Sequence, residues 1–391
     1  MIGLTTVRHR LERLGETDIK LIYWAAILLG VGCVFVYSSS ALLAQRSALY
    51  GHETSYFIRK QILAGVIGTV IAVYAATCLS WKHIERLSGV FLAASVACLA
   101  LVFVPGIGPD VAGVNRWIRV AGFSFQPAEP AKLALVLYLA KFISDRESRW
   151  IGGKATLKIL MVSGLVSFLV YKEPDYSAAI FVMMLTLLML FMGGISWASI
   201  GVTLSVILAM AAYGLATKSY ILNRLKAYLK PLEDPTSRGF QILQSYIALG
   251  RGGVDGVGLG NSLQKTSMLP EPHTDFIYAV IGEETGFLGA AAVAVLFLAF
   301  FVYGLRLAHR MPNFFLKLAT AGIVFMITLQ ALLNMSVVTG LLPVTGEPLP
   351  MISAGGTSLV STLAAIGCLL CFSREAQPPD QGTPPVWPAG K

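Results

Sequence analysis

Long uninterrupted apolar runs constrain this chain more than any other feature of its sequence. Ten such runs lie near residues 20–40, 61–80, 87–105, 128–145, 156–171, 176–193, 197–217, 276–304, 315–338 and 356–373. Because they are continuous and about 18 residues long or longer, they predict helices that cross a bilayer. Only 13% of the residues are charged, against about 25% in soluble domains. The predicted fold class is therefore an all-α polytopic membrane protein with about ten transmembrane helices.

The distribution of Lys and Arg predicts how these helices are oriented. An even number of spans puts both termini on one side of the membrane. The termini and short loops of that side carry 14 Lys and Arg residues, and the opposite short loops carry six. Because cytoplasmic loops are enriched in these residues, both termini are predicted to be cytoplasmic. Residues 1–19 are then an N-terminal tail, and residues 374–391, which are rich in Pro and Gly, are a second tail that we expect to be disordered.

One long loop, residues 218–275, joins the seventh span to the eighth on the non-cytoplasmic side. Loops of this length are usually functional or disordered. Phe240, Leu243 and Ile247 recur at helical spacing, which predicts short helices packed on the membrane surface. The Gly-rich run 250–260 lacks the Gly-Lys-Ser/Thr of a P-loop and follows no strand. It is either a flexible turn or a place where the backbone approaches a phosphate or sugar.

Carboxylates stand at the start of the eighth span and inside it. Asp275 lies where the long loop meets the span, and fits a helix cap, a single base or a metal ligand. Glu283 and Glu284 follow within the apolar run, where carboxylates are costly and usually functional. At ~1.5 Å per residue, Glu283 lies about 12 Å from Asp275 along a helix. Paired glycosidase carboxylates are roughly 5–9.5 Å apart, so this spacing disfavours a two-carboxylate hydrolase.

Three further polar segments interrupt the apolar pattern. Glu129 and Lys132 open the fourth span at i, i+3 spacing and are predicted to pair, either as a buried structural pair or as support for a site. Residues 173–175, Glu-Pro-Asp, are predicted to form a turn and a cap for the sixth span. The segment 340–358 contains three prolines and four glycines. It predicts a re-entrant or broken segment, which is tolerated at membrane depth only inside protein or beside a cavity.

A series of ordered motifs runs through residues 20–373. They are Asn115-Arg116-Trp117-Ile118, Gln126-Pro127-Ala128-Glu129 with Lys132, Glu173-Pro174-Asp175, Glu233-Asp234-Pro235, Gly239-Phe240-Gln241, Gln244-Ser245, Gly258-Leu259-Gly260-Asn261-Ser262, Gln264-Lys265, Leu269-Pro270-Glu271, His273-Thr274-Asp275-Phe276-Ile277, Glu283-Glu284 and Leu349-Pro350 with Gly355-Gly356. Together they resemble the SEDS family of shape, elongation, division and sporulation proteins, which includes FtsW, RodA and SpoVE. The stretch 256–265 is most similar to the FtsW branch.

The resemblance implies a peptidoglycan glycosyltransferase, an inverting hexosyltransferase that polymerises lipid II into glycan strands during septal wall synthesis. Lipid II is a disaccharide-pentapeptide on undecaprenyl pyrophosphate. The implied location is the bacterial cytoplasmic membrane, at the division septum. The implied partners are a class B penicillin-binding protein, which is a transpeptidase, and other divisome proteins, but no nucleic acid. No organic cofactor is implied, and a divalent cation such as Mg²⁺ or Mn²⁺ could help to stabilise the leaving pyrophosphate.

The resemblance also assigns site residues. The family's essential acidic position falls on Asp275, as a catalytic base or as a ligand of the cation. The implied substrate-binding residues are Arg116, Glu129, Lys132, Arg224, Lys265, His273, Thr274, Ser353, Gly355 and Gly356. Among these, we expect Arg116, Arg224 and Lys265 to hold the pyrophosphate, and the pair Glu129 and Lys132 to support the site.

Three other functions remain open at this point. A lipid II flippase would line a path with Glu129, Lys132, Glu283 and Glu284 and would need no external base. A catalytically silent scaffold for a penicillin-binding protein would tolerate neutral substitutions in the long loop. An elongation polymerase of the RodA type would share the chemistry but not the septal role.

Overall fold

The computed structural model describes residues 17–104, 116–120, 123–146, 153–233, 238–267 and 269–377. The predictions for most of the N-terminal tail, for the C-terminal tail beyond Gln377, and for the motif residues Asn115, Asp234 and Pro235 lie outside these residues.

The described chain is helical apart from one small hairpin. Its elements are α1 (Ile19–Arg46), α2 (Tyr56–Cys78), α3 (Trp81–Leu101), β1 (Ile118–Val120), β2 (Phe123–Phe125), α4 (Ala128–Ser144), α5 (Gly153–Lys172), α6 (Tyr176–Met192), α7 (Trp197–Thr217), α8 (Ser219–Leu229), α9 (Arg238–Gly252), α10 (Gln264–Ser267), α11 (Ile277–His309), α12 (Phe314–Val338) and α13 (Gly356–Ser373). Two short 3-10 helices, Ala48–Tyr50 and Pro231–Glu233, complete the described secondary structure.

Ten of these helices coincide with the ten predicted spans. Eight of them, α1, α2, α3, α5, α7, α11, α12 and α13, are long and apolar enough to cross a membrane. The other two, α4 and α6, have 17 residues each. The chain is thus a multi-pass membrane protein, and the predicted fold class is confirmed. The antiparallel hairpin of β1 and β2 was not predicted from the sequence.

Burial separates central helices from peripheral ones. The most apolar window of α13 is 83% buried and that of α12 is 67% buried, whereas that of α7 is only 17% buried. Twelve of the 17 residues of α4 are buried as well. Small residues allow the close packing, since a Cβ on Gly367 of α13 would lie 2.6 Å from Ala72 Cα of α2. The exposed apolar side chains of α2, α3 and α7 form the surface that faces lipid.

The long loop folds into helices α8, α9 and α10, and we call the membrane face where it lies the loop side. The predicted helical spacing is confirmed by α9, which contacts α11. Ser245 of α9 is buried, and its hydroxyl donates to the Val338 carbonyl at the end of α12 at 2.7 Å. The loop is therefore packed onto the helical domain.

Helix α11 is broken at Gly286, where φ is 66° and ψ is −167°. The short half, residues 277–285, is mostly buried, whereas the long half begins with Phe287, which is 68% exposed. The Gly-rich run of the loop fills the break. Val257 N donates to Glu283 O at 3.0 Å, and Phe287 N donates to Gly253 O at 2.8 Å.

Glycine is required for this close approach. A Cβ on Gly256 would lie 2.3 Å from Glu284 O, and one on Gly286 would lie 2.2 Å from Val254 O. Of the two interpretations of run 250–260, close backbone approach is the one seen around Gly252 and Gly256. The approached group is protein backbone, however, and not a phosphate or sugar.

The chain between α12 and α13 is non-helical over residues 341–355, as the Pro- and Gly-rich composition predicts. Most of its backbone from Leu349 to Ser353 is buried in the protein. Ser353 stabilises it locally, because its hydroxyl accepts a hydrogen bond from Leu349 N at 2.8 Å. The segment is therefore a buried, non-helical connection between two central helices on the loop side.

Candidate active site

Asp275 is positioned by contacts to the backbone on either side of it. Ala354 N donates to His273 O at 2.8 Å, and Ser353 Oγ donates to Thr274 O at 2.6 Å. Asn334 of α12 donates to the Asp275 carbonyl at 2.8 Å. The N-cap of α11 is Phe276 and receives no side-chain cap, so the interpretation of Asp275 as a helix cap is wrong.

The Asp275 carboxylate is half-buried and has no hydrogen-bond donor among the residues that the structure describes. Burial raises its pKa to about 6, and the nearby Glu271 and Asp175 carboxylates raise it further, while Arg224 and Arg116 oppose the shift. A carboxylate with open lone pairs and a pKa near neutrality is suited to accept a proton.

Two arginines lie near this carboxylate, Arg116 just before β1 and Arg224 in α8. Arg116 Nη1 forms an ion pair with Asp175 at 3.4 Å, and Arg116 Nε donates to the Glu173 carbonyl at 2.9 Å. Asp175 also accepts from Ala178 N at 3.2 Å, which confirms the predicted cap of α6. Arg224 of α8 donates to Ser177 Oγ at 3.3 Å. Both guanidinium groups are thus held beside Asp275 by contacts to neighbouring elements.

An apolar cavity of about 300 Å³ lies next to these groups. Its polar end is formed by Ser177, Arg224, Thr345 and Glu347, and its remaining wall by aromatic and aliphatic side chains of α5, α6, α7, α8 and α12. Asp275 lies close to that polar end, because a Cβ on Gly346 would be 3.5 Å from Asp275 Oδ2. The arrangement suits an amphiphile with an anionic head and an apolar tail.

A buried ionic network lies below this region. Lys132 Nζ lies 2.9 Å from Glu129 Oε1 and 3.2 Å from Glu347 Oε2, and it donates to Gln330 Oε1 at 3.3 Å. The predicted pairing of Glu129 with Lys132 is confirmed, and its side chains are almost inaccessible. Asn334 connects the network to the site, because its amide also donates to the Glu347 carbonyl at 2.8 Å.

The other residues implied by the resemblance fall into two groups. His273 is buried, with its ring centroid 4.2 Å from that of Phe57, and Thr274 Oγ1 donates to Glu271 O at 3.2 Å. Both lie with Ser353 beside Asp275. Gly355 is the N-cap of α13 and Gly356 is its first residue, so both can offer only backbone groups to a substrate. Their binding roles remain predictions.

Lys265 does not lie where a pyrophosphate-binding residue was expected. Its side chain is 3% exposed, and Nζ is 2.6 Å from Glu284 Oε1 and 3.0 Å from Ser38 Oγ. The ammonium group therefore forms an ion pair with the buried Glu284 carboxylate, which lies at the end of the short half of α11 that is farther from Asp275. Its position favours a structural contact over substrate binding, whereas Arg116 and Arg224 lie at the site.

Sequence reasoning missed two residues of the site. Glu347 completes the coordination of Lys132, and Asn334 holds the Asp275 backbone. Both are polar residues in or next to an apolar span, and that placement alone is a signal of function. Within the described ranges, no group of three or more His, Cys, Asp or Glu side chains is placed to hold a metal ion. No reaction step is assigned to a metal ion, and the divalent cation stays a prediction.

Comparison with known proteins identifies the family. The profile of the cell cycle protein family FtsW/RodA/SpoVE matches residues 19–378. A probable peptidoglycan glycosyltransferase FtsW of Trichlorobacter lovleyi is 37% identical over 92% of this chain and 94% of its own length. The stage V sporulation protein E of Bacillus subtilis is 37% identical over 91% of this chain and 97% of its own.

A solved structure supports the same assignment. A chain from a study of the structural coordination of polymerization and crosslinking by a peptidoglycan synthase complex superimposes with a TM-score of 0.74 at 27% identity. The match covers 92% of this chain and 98% of that one. The chain belongs to the FtsW/RodA/SpoVE family, as the sequence motifs indicate.

Proposed function

We propose that this peptidoglycan glycosyltransferase polymerises lipid II and that Asp275 is its essential carboxylate. The enzyme class follows from the family and from relatives that share 37% identity over more than nine-tenths of the chain. The observation that carries the residue assignment is the Asp275 carboxylate, which has no donor among the described residues, lies close to the polar end of an apolar cavity and is near enough to two arginines for both to lower its pKa.

The reaction needs one base and one source of positive charge. The 4-hydroxyl of the acceptor GlcNAc attacks the anomeric carbon of the growing glycan, and the bond from that carbon to the pyrophosphate oxygen breaks. The Asp275 carboxylate accepts the hydroxyl proton as the new glycosidic bond forms. Arg116 and Arg224 stabilise the negative charge that develops on the leaving undecaprenyl pyrophosphate.

The cavity supports the choice of a lipid-linked substrate. Its wall carries Met184, Met210 and Leu215, whose side chains match an isoprenoid chain. Arg224 meets two other polar lining residues, because Nη1 lies 3.3 Å from Ser177 Oγ and 3.5 Å from the Thr345 carbonyl. A substrate with its tail in this cavity would present its pyrophosphate to Arg224. Holding both reactants in one orientation supplies much of the rate enhancement in such bimolecular reactions.

Cellular role, topology and partner are parts of the same proposal. The excess of Lys and Arg opposite the loop side supports cytoplasmic termini, and hence an extracytoplasmic loop 218–275. The FtsW name of several relatives supports a place at the division septum. The peptidoglycan synthase complex among the structural neighbours supports a class B penicillin-binding protein as partner, with other divisome proteins. A divalent cation stays a prediction, which chelation of the purified enzyme would test.

The decisive experiment is polymerisation of lipid II by the full chain, purified with its transpeptidase partner and analysed on a gel that resolves glycan length. We expect Asp275→Asn to keep folding and partner binding but to lower the rate by at least ~10²-fold, the low end for loss of a general base. The matched control is Asp255→Asn, which neutralises an exposed carboxylate of the same loop.

The outcomes separate the competing functions. A folded Asp275→Asn protein that polymerises at the wild-type rate would remove Asp275 from the mechanism. A flippase would move lipid II across liposome membranes without making polymer. Its transport would be equally fast in the wild type and in Asp275→Asn. If the wild-type complex neither polymerises nor transports lipid II, the result would favour the catalytically silent scaffold.

A further inference from the structure

Two adjacent buried carboxylates, Glu283 and Glu284, end the short half of α11. They are 0% and 1% exposed. Neighbouring positions on a helix point about 100° apart, so each faces a different element. Negative charge at the C-terminal end of a helical segment opposes the helix dipole. These two groups therefore need strong partners, and neither has a place in the proposed reaction because Asp275 lies at the other end of the segment.

Both carboxylates accept several hydrogen bonds from distant parts of the chain. Glu283 accepts from Leu263 N at 3.0 Å, from Gln264 N at 3.4 Å, from the Ser262 hydroxyl in a short contact, and from Arg251 Nη1 at 3.4 Å. These donors all belong to the long loop.

Glu284 connects the same segment to the first transmembrane helix. It accepts from Ser38 Oγ of α1, at 2.8 Å to each carboxylate oxygen, and from Lys265 Nζ at 2.6 Å. We call Ser38, Lys265 and Glu284, together with Glu283 and its donors, the anchor cluster. It joins α1, the long loop and the short half of α11 at one buried point.

We propose that Glu284, with Lys265 and Ser38, is a positioning group that fixes the orientation of the short half of α11 and thereby places Asp275 against Arg116 and Arg224. The break at Gly286 separates this half from the spanning half, so the helix itself cannot set its orientation. One end is held by Ser353 and Asn334, and the anchor cluster holds the other. This inference rests on the proposed function, because it assigns Asp275 to the reaction.

A buried ion pair by itself is weak evidence for stability, because well-packed neutral replacements are often no less stable. A double neutral variant can therefore distinguish a positioning role from a purely stabilising one, because it can fold without the ion pair. In Glu284→Gln or Lys265→Met alone, one charge is left buried without its partner, and folded yield should fall. In the double variant Glu284→Gln/Lys265→Met no charge is stranded, so folded yield should recover, but the short, charge-assisted contact that fixes the segment is absent.

The test measures kcat and KM for lipid II polymerisation with the full chain in complex with its partner, at equal amounts of folded protein. We expect the double variant to recover folded yield and KM but to lose kcat about 10- to 100-fold, the range expected for a misplaced reacting group. Lys265→Arg, which keeps the charge, should retain more kcat than Lys265→Met. The control is Glu53→Gln/Arg59→Met, which removes an exposed pair and should change nothing.

A second variant covers the case in which the double variant does not fold. Ser38→Ala removes a neutral donor and strands no charge, and we expect about a fivefold loss of kcat with KM unchanged, the size of one net hydrogen bond. Wild-type kcat in the folded double variant, or in Ser38→Ala, would overturn the positioning role. Because wild-type polymerisation and Asp275→Asn are measured in the same assay, failure of the proposed function itself would be seen separately.

Discussion

Carboxylates lie at both ends of the short half of α11, but they differ in how many hydrogen bonds they accept. At one end every oxygen of Glu283 and Glu284 accepts at least one hydrogen bond. At the other end, no described residue donates to the carboxylate of Asp275. A carboxylate whose lone pairs are occupied fixes structure, whereas one whose lone pairs are open can take a proton. The comparison predicts that substitutions at hydrogen-bonded carboxylates mainly change the stability of the fold. Substitutions around Asp275 should mainly change the reaction rate.

The buried network of Lys132 tests the prediction for hydrogen-bonded carboxylates. It has the largest expected effect on folding stability. Because both side chains are buried, Glu129→Gln or Lys132→Met alone should cost on the order of 3–5 kcal/mol of folding free energy. The double neutral variant should recover part of that loss. Thermal unfolding in detergent measures it, and stable single variants without activity would instead place the pair in the chemistry.

Arg116 and Arg224 test the prediction for the surroundings of Asp275. Neutral replacement, Arg116→Gln or Arg224→Gln, removes charge-assisted contacts to an anionic head group, each worth about 1.5–3 kcal/mol. We therefore expect the lipid II concentration for half-maximal rate to rise about tenfold or more, with the fold retained. Lys226→Gln on the exposed face of α8 is the matched control. An unchanged substrate dependence in both arginine variants would remove them from pyrophosphate binding.

The pH dependence of the rate sharpens the comparison further. The Asp275 pKa is raised to about 6, so the carboxylate is charged above that pH and neutral below it. A base must be deprotonated to act, so kcat/KM should be level above pH 6 and fall about tenfold per pH unit below it. A rate that stays constant down to pH 4.5, measured on protein shown to be folded there, would contradict the assignment.

Glu173 is a third case: its carboxylate is unpaired among the described residues but buried, and its expected effect on activity is the smallest. Its side chain is 1% exposed, and neither carboxylate oxygen has a hydrogen-bond partner among the described residues. Burial, and then the Asp175 carboxylate, raise its pKa from 4.5 to about 9, against Arg116. The folded state then binds the proton more tightly than the unfolded state, so its stabilising contribution is complete below pH 4.5 and is lost as pH rises towards 9.

Glu173→Gln removes this titration while keeping a neutral side chain of similar shape. The melting temperature of the variant should therefore depend less on pH between 4.5 and 9 than that of the wild type, with activity near neutral pH largely kept. Glu53→Gln, at an exposed position, is the control and should leave the pH dependence unchanged. Equal curves for wild type and Glu173→Gln would show that Glu173 does not titrate in this window.

The apolar runs were sufficient to predict ten helices, eight of which are long and apolar enough to cross a membrane, because length and hydropathy are properties of the local sequence. The pair of Glu129 and Lys132 was predictable for the same reason, since i, i+3 spacing is local. Asp275 was found from its place at the start of a span and from the family motif.

Contacts between distant segments were not predictable in this way. Nothing in the sequence around Lys265 shows that its partner is Glu284, or that Ser38, 227 residues away, completes the contact. The break at Gly286 has no local signal either, because Gly286 is one of four glycines in this 33-residue apolar helix, and only the insertion of the Gly-rich run explains why the break is there. Lys265 was therefore assigned to the substrate from a motif, while its position depends on the tertiary fold.

The break in α11 also has a consequence for how the enzyme responds to its lipid environment. The long half, from Phe287 to His309, is about 34 Å long at ~1.5 Å per residue, enough to cross a hydrocarbon core of ~30 Å without the short half. Hydrophobic mismatch in a thicker or thinner bilayer is absorbed by helix tilt, at fractions of a kcal/mol per Å. Because the short half is held by α1, α12 and the loop, such tilting leaves the height of Asp275 above the membrane set by protein contacts and not by lipid composition.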